Sequence, residues 1–229
     1  MTPRDDDLIE AYTRPRVVAC TLWLHGLGVN AADMDGIISR MRRSWELGLH
    51  HVAPNAPLRP ITVNAGRHTR AWFDVTGDPA DTPVDREGIE ESTRHIHRLL
   101  DRERARGIAS RHTILGGFSQ GGALALHAGL RYPHGLGGIV VLSGELLLAD
   151  ELIHERDPAN IHTPVLMIHG RDDPIIPLQE ARHGRDLLVE SGHPVTWHEL
   201  PMGHGVLPEE IEIIDAWSYA MLAPAAAEG

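Results

Sequence analysis

The sequence contains no lysine: all 21 basic residues are arginine. Mechanisms that need a lysine nucleophile or a lysine Schiff base are therefore excluded. Cysteine is almost absent too. The single one, Cys20, rules out an intramolecular disulfide. It stands in the apolar run "VVACTLWL" and reads as a buried small hydrophobe rather than a nucleophile. Positive charge is in deficit, with a formal net charge of −11. That opposes sequence-independent nucleic-acid binding and a polybasic membrane anchor. No run of about 18 apolar residues occurs, so stable membrane insertion is not expected. The opening "MTPRDDDLIE" lacks the basic-then-apolar profile of a signal peptide, and a cytoplasmic location is the expectation.

The 229 residues, 42% hydrophobic and 23% charged, suit one α/β domain. The expectation is a single domain over 1–229, with a core from about 16 to 222 and flexible tails at both ends. Val17 to Leu24 reads as a buried strand ending at the turn "HGLG". Met34, Ile37, Ile38, Met41 and Trp45 mark one helical face, with Asn30 or Asp33 as its cap. "HHVAP" is a short strand. The stretch from about 55 to 87 is too rich in proline and glycine for a long regular element, and a loop of that length is often functional. Gly88 to Arg106 is a charged amphipathic helix. Strands and helices then alternate: "HTILGGF", Gln120 to Tyr132, "GLGGIVVLSG", "TPVLMIHG", Leu178 to Ser191, "VTWHEL" and Pro208 to Met221. "APAAAEG" reads as a frayed tail. The alternation predicts a mainly parallel sheet with helices on both faces. Ligands in such a sheet bind beyond the C-terminal strand ends.

The residues at those ends are chemically suggestive. "GFSQG", residues 117 to 121, fits the G-x-S-x-G nucleophile elbow, in which a sharp strand-to-helix turn exposes a serine. Ser119 needs a base to take its proton. His204, in a glycine-flanked loop after a strand, is well placed for that. Asp172 and Asp173 both follow "VLMIHG", and periodicity does not choose between them as the orienting acid. The backbone N–H groups of Gln120 and Leu27 suit an oxyanion hole. His95 and His97 sit two apart on a helix and do not share a face, and no spacing forms a convincing metal site. No metal and no cofactor is expected.

Taken in order, "LHGLG", "PNAPLRPITVNAG", "AWFD", "GFSQGGALAL", "LSG", "HGRDDPIIP" and "GHG" resemble the carboxylesterase/acyl-protein thioesterase family, also called phospholipase/carboxylesterase. The resemblance runs from about residue 20 to 220. It implies an α/β-hydrolase fold without a large separate cap and a serine carboxylesterase acting on short- to medium-chain acyl esters. Acyl-protein thioesterase and lysophospholipase activity are the alternatives. It implies Ser119, His204 and Asp173 as catalytic residues, the last because the family pattern G-x-x-D-x-x-V-P aligns with Gly170 and Pro177. Leu27 and Gln120 match its oxyanion donors. Trp72 in "AWFD", together with Glu145, Leu146 and Val206, are the substrate-binding candidates; a core role for Trp72 stays open. Departures at "GRHTRAWFD" and at Glu145 make the cleft rim more polar and weigh against long-chain or membrane-lipid substrates. The implied partner is a small acyl ester or thioester, with no nucleic acid, and homodimer formation is left open. A hydrolase fold used only for binding would be expected to lack a triad member, and every candidate is present.

Overall fold

Six consecutive residues, Ala19 to Leu24, are fully buried and form strand β2. Burial on both faces is what a central strand requires. Side chains alternate along it: Cys20, Leu22 and Leu24 join one core cluster, while Ala19 and Trp23 join the other. The computed structural model describes residues 7–77 and 84–228. Around β2 lie β1 (Leu8–Tyr12), β3 (Leu49–Pro54), β6 (Thr113–Phe118), β7 (Gly138–Leu142), β8 (Val165–Gly170) and β9 (Val195–Leu200). The sheet order is β1-β3-β2-β6-β7-β8-β9. All its pairings are parallel except β1 with β3.

Helices α3 (Arg86–Ala105), α4 (Gln120–Arg131) and α6 (Leu178–Glu190) cover one face. Helices α1 (Ala31–Ile38) and α7 (Pro208–Glu228) cover the other. The short helices α2 (Arg42–Trp45) and α5 (Leu152–Glu155) complete the set. This is the α/β-hydrolase architecture, with a mostly parallel sheet between helical layers.

The structure departs from the sequence expectation at four places. First, the helical face from Met34 to Trp45 is split into α1 and α2. The Asp215 carboxylate of α7 accepts the Arg43 and Ser44 backbone N–H groups, both at 2.8 Å, and so caps a separate α2. At the other end of α1 the alternatives combine. Asn30 Oδ1 accepts the Ala32 N–H, and Asp33 accepts the Asn30 N–H.

Second, the N-terminal tail was expected to be flexible up to about residue 16, yet residues 8–12 form edge strand β1. Tyr12 stacks on the buried His50 with ring centroids 4.3 Å apart, and Glu10 accepts Arg102 Nη2 at 2.8 Å. Residues 1–6 lie outside the described residues. Third, the expected frayed tail is helical to Glu228 despite Pro224, because Leu222 and Ala225 pack into the core beneath it. Fourth, the long irregular stretch contains an antiparallel hairpin, β4 (Leu58–Ile61) and β5 (Arg67–Arg70). Arg59 ties this hairpin to α3 through Asp85 and Glu91. Residues 78–83 of this stretch lie outside the described residues.

Candidate active site

Strand β6 ends and α4 begins at a single residue, Ser119, whose backbone takes φ 55 and ψ −123. A left-handed φ is unfavourable for any residue with a Cβ. Here the turn is fixed from several sides. The Ser119 N–H donates to Leu142 O at 2.8 Å, and its carbonyl accepts the Ala123 N–H at 3.0 Å. The glycines around it have separate causes. A Cβ on Gly117 would stand 2.4 Å from the Gly121 carbonyl. One on Gly121 would stand 2.2 Å from Leu24 O and 2.5 Å from His25 O, at the end of β2. Gly116 clears the Trp23 ring instead, so its absent side chain serves the core on the far face.

Ser119 Oγ lies 2.8 Å from His204 Nε2. His204 Nδ1 lies 2.7 Å from Asp173 Oδ2. Asp173 is buried, whereas Asp172 is exposed and uses its backbone N–H to reach Met202 O. Asp173 Oδ1 accepts the Ile175 and Ile176 N–H groups at 2.8 and 3.0 Å. Burial pushes the Asp173 carboxyl up. The His204 hydrogen bond and these two N–H groups outweigh it and hold the carboxyl below its usual value. His169, buried at the end of β8, donates from Nε2 to Ile176 O at 2.9 Å and braces the same turn. Phe118 packs its ring against His204 at 5.0 Å. Neither His169 nor Phe118 stood out in the sequence, because a buried histidine or a strand-end phenylalanine carries no positional signature by itself.

The loop after β2 sits against the serine. A Cβ on Gly26 would lie 3.1 Å from the Phe118 ring and 3.3 Å from Ser119 Cβ. Among the described residues, the backbone N–H groups of Leu27 and Gln120 have no acceptor within the protein. His25 anchors this loop. Its Nε2 accepts the Ala56 N–H at 2.9 Å, which leaves Nδ1 protonated toward Gly26 O at 2.7 Å. Burial lowers its pKa and keeps it neutral.

Gln120 contributes more than its N–H. Its side-chain amide accepts the Trp72 N–H and donates to Phe73 O, both at 2.9 Å. Trp72 in turn donates Nε1 to His25 O at 2.8 Å, and its carbonyl accepts Ser92 Oγ–H. The Trp72 ring is fully buried in the core. It therefore braces the site from beneath.

A cleft of about 760 Å³ adjoins the loops that carry these groups, lined in part by Phe73, Glu145, Leu146, Leu148, Ile175 and Glu180. Glu145 and Leu146 are thus on its wall. Val206 is not among its lining residues; it is partly buried and packs against the core cluster that includes residues of α1 and α7. Ser143, at φ 47, turns the chain after β7 and delivers Glu145 and Leu146 to the cleft wall.

Away from this site, Cys20, His50 and Glu103 come within 4.8 Å of one another, a grouping the sequence did not suggest. Glu103 already accepts His50 Nδ1 at 2.6 Å and Arg102 Nε at 3.1 Å. The Arg102 guanidinium matches its charge, and the two bonds make the group an anchor between β3 and α3.

Residues 9–221 match the family described as Phospholipase/Carboxylesterase. The chain belongs to that family. As a member it is a serine hydrolase of carboxylic esters. It is 37% identical over 215 residues to acyl-protein thioesterase 1 of Gibberella zeae, covering 90% of this chain and 92% of that one. It is 33% identical over 199 residues to carboxylesterase SOBER1 of Arabidopsis thaliana, covering 86% and 87%. The crystal structure of SOBER1 superposes with a TM-score of 0.84 at 31% identity, over 89% of this chain and 99% of that one. Zea mays acyl-protein thioesterase 2 gives 0.83 at 29%, over 94% and 98%. Among the described residues, no helix is long and apolar enough to cross a membrane.

Proposed function

We propose that this family member is a serine carboxylesterase that cleaves short- to medium-chain acyl esters through an acyl-enzyme. The observation that carries the reading is the continuous relay from Asp173 through His204 to Ser119, with hydrogen bonds of 2.7 and 2.8 Å. Asp173 holds the proton on His204 Nδ1, so Nε2 is free to take the serine proton. Ser119 Oγ then bonds to the acyl carbon, and the carbonyl oxygen becomes an oxyanion facing the Leu27 and Gln120 N–H groups. Collapse breaks the ester bond, and His204 returns its proton to the leaving alkoxide. Water repeats the sequence on the acyl-enzyme and releases the acid. The aliphatic cleft wall at Leu146, Leu148 and Ile175 supports an acyl or alkyl arm beside the reacting carbon.

The same relay would cleave a thioester with a thiolate leaving group. The names of the thioesterase relatives favour that as the second reading.

A fluorophosphonate should add one label, at Ser119, and the Ser119→Ala variant should lose p-nitrophenyl butyrate hydrolysis. Labelling elsewhere, or full activity in the variant, would overturn the proposal. Comparing kcat/KM for matched oxyester and thioester butyrates separates the two readings.

A further inference from the structure

The cleft that reaches Phe73, which Gln120 holds, and Ile175 and Ile176, which bind Asp173, has an unusual charge composition. Its wall is aliphatic at Leu146, Leu147, Leu148, Ile175 and Ile176, yet it carries three carboxylates, Asp74, Glu145 and Glu180. No arginine lines it among the described residues. Asp74 is already engaged, since its carboxylate accepts the Thr62 N–H at 2.8 Å and the Thr62 hydroxyl at 2.6 Å. Glu145 and Glu180 differ. Among the described residues, neither side chain has a hydrogen bond or an ion pair.

Elsewhere the protein matches many of its acids with arginine. Asp7 pairs with Arg70, Glu10 with Arg102, Glu155 with Arg131 and Glu199 with Arg182. Two carboxylates on one wall without a counter-charge, Glu145 half-buried among leucines and Glu180 exposed, leave the cleft acidic. The Glu145 carboxyl is pushed above its usual range. Burial is the larger cause, and the Glu180 charge adds to it.

We infer that this cleft selects acyl esters or thioesters bearing a cationic group, an ammonium or guanidinium, with Glu145 and Glu180 as the residues that choose it. The inference rests on the reading of Ser119 as the nucleophile beside the cleft. The cation would supply the counter-charge that no residue on the wall provides, while the substrate's methylenes lie along Leu146 and Ile175. An anionic arm would meet like charge and be rejected.

Matched probes test this from both sides of the scissile bond. On the alcohol side, butyrylcholine is compared with its neutral isostere 3,3-dimethylbutyl butyrate. On the acyl side, the p-nitrophenyl ester of 4-(trimethylammonio)butyrate is compared with that of 5,5-dimethylhexanoate, and with a hemisuccinate as the anionic member. In at least one series kcat/KM for the cation should exceed the isostere by roughly tenfold at low salt, and added salt should shrink the gap as the screening length falls. In Glu145→Gln/Glu180→Gln the ratio should fall to about one. The ratio is internal to each preparation, so a loss of folded enzyme cancels. Equal rates in both series, or a preference that survives the double substitution, would overturn the inference. If neutral esters are not cleaved and Ser119 takes no label, the failure belongs to the catalytic reading instead.

Discussion

The side-chain amide of Gln120 accepts the Trp72 backbone N–H while donating to the next carbonyl, Phe73 O. One residue beside the nucleophile thus fixes a segment 47 positions earlier in the chain. The Gln120→Ala variant leaves two buried backbone groups without partners. It should lower the unfolding free energy by about 2–3 kcal/mol and also lower kcat. Urea titration and steady-state kinetics measure both. A loss below about 0.5 kcal/mol would mean that the clamp contributes nothing.

Burial and hydrogen bonding separate two adjacent aspartates. Asp173→Asn should reduce kcat by roughly 10³–10⁴, because the amide no longer enforces the working tautomer of His204. Asp172→Asn should stay within about twofold, since the Asp172 side chain is exposed. Equal losses in the two variants would contradict the assignment of roles.

Gly121→Ala places a methyl group 2.2 Å from Leu24 O and 2.5 Å from His25 O. The end of β2 has to move, and the Leu27 loop moves with it. Activity should fall by about 10² or more, the scale of one lost oxyanion donor. Thermal unfolding of the same preparation shows whether the fold persists. Wild-type kcat in the variant would show that the two segments are not in register for catalysis.

Glu210 lowers stability as pH rises from about 4.5 to about 7. It is buried at the start of α7, where one carboxylate oxygen accepts the Leu207 N–H at 2.8 Å. Burial raises its pKa to about 7, against 4.5 for the ordinary side chain. The folded protein therefore holds this proton to a higher pH than the unfolded chain does. Its contribution is fully present below about 4.5 and is lost as pH rises through 7, by on the order of 3 kcal/mol. Glu210→Gln should flatten that decline. Unfolding free energies at about pH 5 and about pH 8 measure it, and parallel pH slopes in the two proteins would refute it.

The sequence made the strand-end chemistry legible because that chemistry uses local signals. Glycine spacing marked the Ser119 turn, and the loops after β8 and β9 marked the Asp172–Asp173 pair and His204; only the family resemblance, and no local signal, chose Asp173. Elements whose stability comes from distant partners were not legible. Strand β1 depends on Glu10 meeting Arg102 and on Tyr12 meeting His50, pairs that no local pattern announces. The split between α1 and α2 depends on Asp215, about 170 residues away. Trp72 and Val206 share the composition of cleft residues, but Trp72 is buried in the core and Val206 packs, partly buried, against it. The residue types suited either place, and the packing decided between them.

The left-handed backbone at Ser119 sets a limit on how robust this enzyme can become while it stays alive. Glycine adopts φ 55 without the steric penalty that serine bears. The inactive Ser119→Gly chain should therefore melt above the active one, by about 1 kcal/mol in unfolding free energy. The hydroxyl proposed as nucleophile occupies a position where the fold itself would prefer no side chain, so activity and durability would pull against each other at a single residue.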